Sequence, residues 1–187
     1  MLLGLVAFAS AVDANAAREG LRGILIYLLV YTFMNVGAFA VITSLRRRDI
    51  IGDEIDDIAG LYTRAPVEAV LMLVFLLSLA GIPPLAGFWG KYFIFLSLIQ
   101  SQHYVLATIA VLYAVVGLYY YLRIANAMLV RPAGDSEAME SSFGMKIALG
   151  VTALATIAIG LYPNPFIQFA NWSLNIAASG TMTGLLR

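Results

Sequence analysis

The stretch SLAGIPPLAGFWGKYFIF, Ser78 to Phe95, places a lysine, Lys91, shortly after two adjacent prolines, Pro83 and Pro84, with Gly81, Gly87 and Gly90 around them. The residues on both sides are almost purely apolar. An ammonium deep in hydrocarbon costs several kcal/mol unless it is hydrated, paired or neutralised. Desolvation favours release of a lysine's proton, so the chemistry on offer at Lys91 is proton or cation exchange. A membrane helix broken beside a titratable group is a recurrent way to build an ion site. The plain alternative is a packing kink with a lysine that snorkels to the surface, although its side chain spans only about half the distance required.

Composition supplies the setting for that lysine. Of 187 residues, 61% are hydrophobic and 12% charged, and the mean hydropathy is +0.89. A soluble domain carries about 25% charged residues, so lipid must serve as much of this chain's solvent. The formal net charge is zero, which leaves no basic field for nucleic acid. There is no cysteine, which excludes disulfides and thiolate metal or iron–sulfur ligation, and a single histidine, His103, makes no metal cluster.

The expected fold class is all-α: a polytopic transmembrane helix bundle forming one membrane domain over 1–187. Residues 1–12 are apolar without a basic n-region and read as the end of a membrane helix rather than a signal peptide. Apolar spans follow at 23–45, 67–100, 104–130 and 145–162. They are stopped by Arg46-Arg47-Arg48, the polar turn at Gln100–His103, Arg131-Pro132 and Pro163-Asn164-Pro165. The tail, 163–187, mixes Phe, Trp, Gln and Asn and is expected at the membrane interface.

The 67–100 segment is too long for a straight span: about 51 Å as one helix, against about 30 Å of hydrocarbon. Pro83 and Pro84 donate no backbone hydrogen bond, so carbonyls near Leu79 and Ala80 need other partners. The break is expected over 81–87, with Gly81, Gly87 and Gly90 allowing close approach of backbone or water. Lys91, nine residues before Gln100, then lies about 13 Å from the nearer end of its span.

Three segments in order, YLLVYTFMNVGAFAVI, SLAGIPPLAGFWGKYFIF and VLYAVVGLYYYLRIA, closely resemble the subunit N family among the antiporter-like membrane subunits of bacterial proton-pumping NADH–quinone oxidoreductase (respiratory complex I). The resemblance runs from Met1 to about Trp172. It implies the C-terminal part of a fourteen-helix antiporter-like fold, with Met1 in the tenth helix and Lys91 on the discontinuous twelfth. In that family two inverted five-helix repeats each contribute a broken helix. A line of lysines, glutamates and histidines crosses the subunit at mid-membrane. The lysine matching Lys91 is a terminal member of that line, so Lys91 is implied to relay protons. The family's earlier glutamate and lysines have no counterpart here. The resemblance further implies no cofactor in this chain, with NADH, FMN, iron–sulfur clusters and quinone handled by other subunits. The implied partners are the other membrane subunits, neighbouring antiporter-like ones included, and the lipid bilayer. The implied location is the bacterial inner membrane. Alternatives are a subunit of a related cation/proton antiporter or membrane-bound hydrogenase, or a passive scaffold fragment.

Supporting residues carry two readings each. Tyr31 and Asn35, i and i+4 on one helix, either hold water near Lys91 or hydrogen-bond neighbouring helices. Met34 and Phe39 read as core. Arg123 either anchors its helix at the interface or serves the cytoplasmic proton path. His103 is an exposed turn residue or a proton exit. Glu68 suits a helix N-terminus. The acidic run Asp53–Asp57 is a solvated loop or a contact for a neighbouring subunit.

Arg46, Arg47, Arg48, Arg64, Arg131 and Lys146 fall on one side of the alternating spans, and only Arg18, Arg22 and Arg187 on the other. The positive-inside rule makes loops 46–66 and 131–145 cytoplasmic. A cysteine replacing Asp56 is therefore expected to react with a membrane-impermeant thiol reagent only from the cytoplasmic face. Labelling from the periplasm of intact cells would overturn this orientation.

Overall fold

The computed structural model describes residues 2–10, 14–46, 54–132 and 143–185, and every regular element among them is helical. Arg47, Arg48, Asp53 and Arg187, with parts of the 46–66 and 131–145 loops, lie outside the described residues. The helices are α1 (Leu2–Ala9), α2 (Ala14–Arg46), α3 (Leu61–Arg64), α4 (Pro66–Ala80), α5 (Ala86–Gln100), α6 (Tyr104–Leu129), α7 (Phe143–Leu161) and α8 (Asn164–Leu185). A 3₁₀ turn, Ile55–Ile58, precedes α3.

α2 is the axis of the bundle, touching α1, α4, α5, α7 and α8. Its buried face is Ile26, Val30, Met34, Ala38, Val41 and Leu45, a stripe at three- and four-residue spacing. The opposite stripe, Leu25, Leu28, Val36 and Phe39, is equally apolar but exposed. Phe39, read as core from the sequence, points outward. In a membrane helix both faces are greasy, so helix contacts are chosen by shape and small residues rather than by hydrophobicity. The small residues are visible at the contacts. Gly23 lies against the backbone of Phe93, and Gly37 lies under the Phe75 ring.

α4 opens with Pro66 at its first position, where a missing N–H costs nothing. It closes at Gly81, whose φ of 86° suits glycine. The Gly81 N–H donates to the Leu77 and Ser78 carbonyls at 3.1 and 2.9 Å, and the Ile82 N–H donates to Leu77 at 3.1 Å. The Pro83–Pro84 bond is cis. Leu85, extended, is the N-cap of α5. The break is therefore Gly81–Leu85, shorter than the 81–87 expected. No further proline occurs before Pro132, so α5 can restart at Ala86, and Gly87 and Gly90 lie inside its first turns. Each half-helix has 15 residues, about 22 Å, and neither alone crosses about 30 Å of hydrocarbon.

α7 stops at the depth of this break. Gly160 packs against the Pro84 carbonyl and Leu85, and the Trp89 indole N–H donates to the Gly160 carbonyl at 2.8 Å. Past Pro163 the chain bends by 86° into α8, which packs back against α2 through Ala170 and its neighbours. α2 and α6 contain the two described helices long and apolar enough to cross a membrane singly, and α7 with α8 forms a bent pair that passes together.

The two ends of the bundle are stitched separately. At one, the Gly60 N–H donates to the Ala127 carbonyl at 3.1 Å, and Arg131 pairs with Asp56. This brings the described parts of the two expected basic loops to the same end. At the other, the Ser101 hydroxyl donates to the Ala7 carbonyl at 3.1 Å, and Ser10 hydrogen-bonds His103.

A Cβ added at Gly87 would fall on the Ser78 carbonyl oxygen, a backbone atom that cannot move aside, whereas one added at Gly150 meets nothing within 4 Å. Gly87→Ala is expected to destabilise the protein by about 1–3 kcal/mol, read as a lowered unfolding temperature in detergent, with Gly150→Ala unchanged or slightly higher. Equal temperatures for the two variants would refute the close crossing.

Candidate functional site: a lysine at the helix break

A helix end leaves its last carbonyls without intrahelical donors. Here Leu79 and Ala80 would be served by residues four further on, which are Pro83 and Pro84 and have no N–H to give. The Ala80 carbonyl finds another donor. Lys91 reaches back from α5 and its Nζ donates to that oxygen at 2.6 Å. Glycine at position 81 makes room for it: a Cβ there would sit 2.8 Å from Lys91 Cδ and 3.2 Å from Nζ. The ammonium thus meets the carbonyl end of α4, which carries the negative pole of the helix dipole, roughly half a charge. Among the described residues no carboxylate pairs with Lys91, so its counter-charge is main chain.

The walls around the lysine are built from α1, α2, α4, α5 and α6. Ser78 is fully buried; its hydroxyl donates to Met34 Sδ at 2.7 Å and accepts from the Gly87 N–H at 3.1 Å. That pair of bonds ties α2, α4 and α5 together one turn from Lys91. Two cavities adjoin the lysine. One, of about 230 Å³, lies between α2, α4, α5 and α6 and is bordered by Tyr31, Ser78, Gly117 and Tyr121 as well as Lys91. The other, of about 260 Å³, is bordered by Lys91, Leu3, Ile94, Phe95 and Ala110. The numbering along α6, 117 and 121 against 110, sets the first toward the Arg131 end of the bundle and the second toward the Tyr104 end. Lys91 is in the wall common to both.

The residues singled out from the sequence fall into three groups. Gly81, Pro83 and Pro84 form the break itself. Gly87 and Gly90 are buried in α5, Gly87 against Ser78 and Gly90 with Tyr27 Cδ2 3.2 Å from where a Cβ would be. Tyr31 borders the first cavity, but Asn35 borders neither, its amide donating to the Tyr31 carbonyl of its own helix at 3.2 Å. Arg123 is exposed on α6 and His103 caps the start of that helix beside Ser10; both lie outside the two cavities. Glu68 is buried in the first turn of α4.

Four polar residues at the site were not singled out for it in sequence: Tyr27, Ser78, Tyr113 and Tyr121. A signal existed. Tyr27 and Tyr31 are i, i+4 neighbours whose rings stack at 5.5 Å. Tyr113, Gly117 and Tyr121 repeat at four-residue spacing on one face of α6. The described residues contain no group of three or more His, Cys, Asp and Glu side chains placed to hold a metal.

Comparison with known proteins follows the same outline. The chain is 62% identical over 187 residues to NADH-quinone oxidoreductase subunit N 1 of Koribacter versatilis, covering 100% of this chain and 36% of that protein. It is 52% identical over 175 residues to subunit N 2 of Solibacter usitatus, covering 93% and 34%. The chain thus spans about a third of the length of these curated relatives. Its fold is similar to part of respiratory complex I from Thermus thermophilus with bound aureothin, at a TM-score of 0.68 and 27% identity over 89% of this chain and 42% of that one. The Mrp complex from Dietzia sp. DQ12-45-1b shares the fold at a TM-score of 0.63 and 21% identity, over 82% and 37%. The sequence profile described as NADH:quinone oxidoreductase/Mrp antiporter, transmembrane, matches residues 2–117, a segment that includes α2, the break and Lys91. With most of its length inside that match, the chain belongs to the NADH:quinone oxidoreductase/Mrp antiporter transmembrane family.

Proposed function

We propose that this chain is part of a membrane subunit of a proton-translocating NADH–quinone oxidoreductase, and that Lys91 is its proton-carrying group. The observation that carries the reading is the position of Lys91 in a wall shared by two cavities stacked along the bundle. A group reachable from both directions, and held in neither by a carboxylate, is suited to taking a proton from one side and giving it to the other. Identity of 62% with a subunit N, against 21% with the Mrp complex, favours the oxidoreductase over the Mrp-type antiporter.

The chemistry follows from the bond at the break. Protonated Lys91 donates a charge-assisted hydrogen bond to the Ala80 carbonyl, the stronger class of hydrogen bond. Neutral Lys91 loses the attraction to the α4 dipole, and its nitrogen can then accept a proton from water in either cavity. A change of charge elsewhere in the assembly shifts this balance through the low-dielectric interior, where a unit charge acts far more strongly than in water. No electron passes through these residues in this scheme. NADH, flavin, iron–sulfur and quinone chemistry belong to other subunits, and the rest of a relative-length subunit supplies the helices that continue the proton path. The basic loops at 46–66 and 131–145 face the cytoplasm of a bacterium, and the chain sits in its inner membrane.

Lys91→Ala in the complete complex is the test. The expected outcome is a complex that assembles and reduces quinone while proton pumping per electron falls several-fold. Unchanged proton-to-electron stoichiometry in an assembled Lys91→Ala complex would leave the chain a scaffold.

A further inference from the structure

Tyr27 and Tyr113 are, with Lys91 and Ala114, the residues that border both cavities. We propose that their two phenol hydroxyls position the water through which Lys91 exchanges protons toward the Tyr104 end. The inference rests on Lys91 being the proton carrier and assigns the residues that connect it.

The polar inventory of the two cavities differs sharply. The first has Tyr31, Tyr121 and Ser78 in addition to the shared residues, although the Ser78 hydroxyl is already committed to Met34 and Gly87. The second is otherwise lined by Leu3, Ile94, Phe95, Ala110 and Ala114, all apolar, and opens to one side of the bundle. A water held inside a protein needs two to four polar partners, and an apolar cavity stays empty. In the second cavity those partners reduce to Tyr27, Tyr113 and the Lys91 nitrogen, because the helical backbones around it bond within themselves. Without the two hydroxyls a single ammonium would remain, too few partners to keep a water chain.

The hydroxyls are also available. Neither Tyr27 nor Tyr113 has a hydrogen-bonded partner among the described residues; Tyr27 is half-buried, where a tyrosine hydroxyl ordinarily finds one, and Tyr113 is exposed at the mouth of the cavity. Water in the cavity fills that role, and about 260 Å³ accommodates several molecules at about 30 Å³ each. The Tyr27 ring is held in place independently of its hydroxyl, by stacking on Tyr31 and by contact with Gly90. Phenylalanine therefore removes the donor and leaves the packing. The transfer conserves protons at each atom. Protonated Lys91 gives one N–H proton to the water held by the two phenols. That water passes one of its own protons to the next water toward Tyr104, and both tyrosines end as they began.

The experiment uses the complete complex in proteoliposomes, with Tyr27→Phe, Tyr113→Phe and the double variant, and Lys91→Ala beside them. Expected are unchanged unfolding temperatures, retained quinone reduction, a several-fold fall in protons pumped per electron in the double variant, and a larger solvent isotope effect on pumping in each single variant. Purely structural tyrosines would not alter the isotope effect. Normal pumping and a normal isotope effect in the double variant, with pumping lost in Lys91→Ala, would overturn the tyrosine assignment alone. Normal pumping in Lys91→Ala would overturn the reading beneath it. Should the double variant fail to assemble, Tyr113→Phe decides, because Tyr113 is 74% exposed on α6 and its ring is no part of the core.

Discussion

A carbonyl without a donor and an ammonium without a counter-ion are each costly in hydrocarbon, and at the break in this bundle they meet. Pro84 deprives the Ala80 oxygen of its helical partner; Lys91, eleven residues along the chain, supplies the replacement at 2.6 Å. Each group makes the other tolerable, since non-helical backbone survives at membrane depth only where protein or water satisfies it. The same bond makes the end of α4 sensitive to charge. When Lys91 is an ammonium, the two half-helices are joined by an ionic hydrogen bond; when it is neutral, that join is weaker and α4 keeps an exposed negative end.

The surroundings are arranged so that this bond can form. Gly81 clears the path of the lysine stem, and Gly87 lets α5 cross α4 at backbone distance, so that Ser78 can serve both α2 and α5. Neither feature is explained by hydrophobic burial, which is available to every residue of such a chain at little gain because lipid is as apolar as the core. Fit between small residues and buried hydrogen bonds therefore select the geometry.

That distinction also explains what the sequence made legible. The broken helix and the helix stops near Arg46, Gln100 and Pro163 were readable from apolar length and from proline, because those signals concern the bilayer and the backbone. By contrast, α2 starts at Ala14, nine residues before the apolar stretch expected at 23–45. Lys91 was readable because a charge in hydrocarbon is conspicuous. The faces of the helices were not. Phe39 and Val30 have equally apolar side chains, yet Phe39 is exposed and Val30 is buried in one cluster with Ile26, Met34 and Ala86. Gly87 and Gly90 were read as places of close approach beside the break, and close approach is what they provide, to Ser78 and Tyr27, but from within α5 rather than in the break itself. Asn35 was open to holding water or to bonding a neighbouring helix and instead bonds its own, and Tyr27 and Tyr113 carried no reading until the fold set both beside Lys91.

Trp89 and Lys91 sit two residues apart, about 200° around the axis of α5. One grips the last turn of α7 through Gly160 and the other the last turn of α4 through Ala80. α5 is thereby tethered on opposing flanks, in the manner of a beam resting on two supports. A rotation of α5 about its own axis would strain both tethers at once, so the break and the root of α8 share one mechanical support.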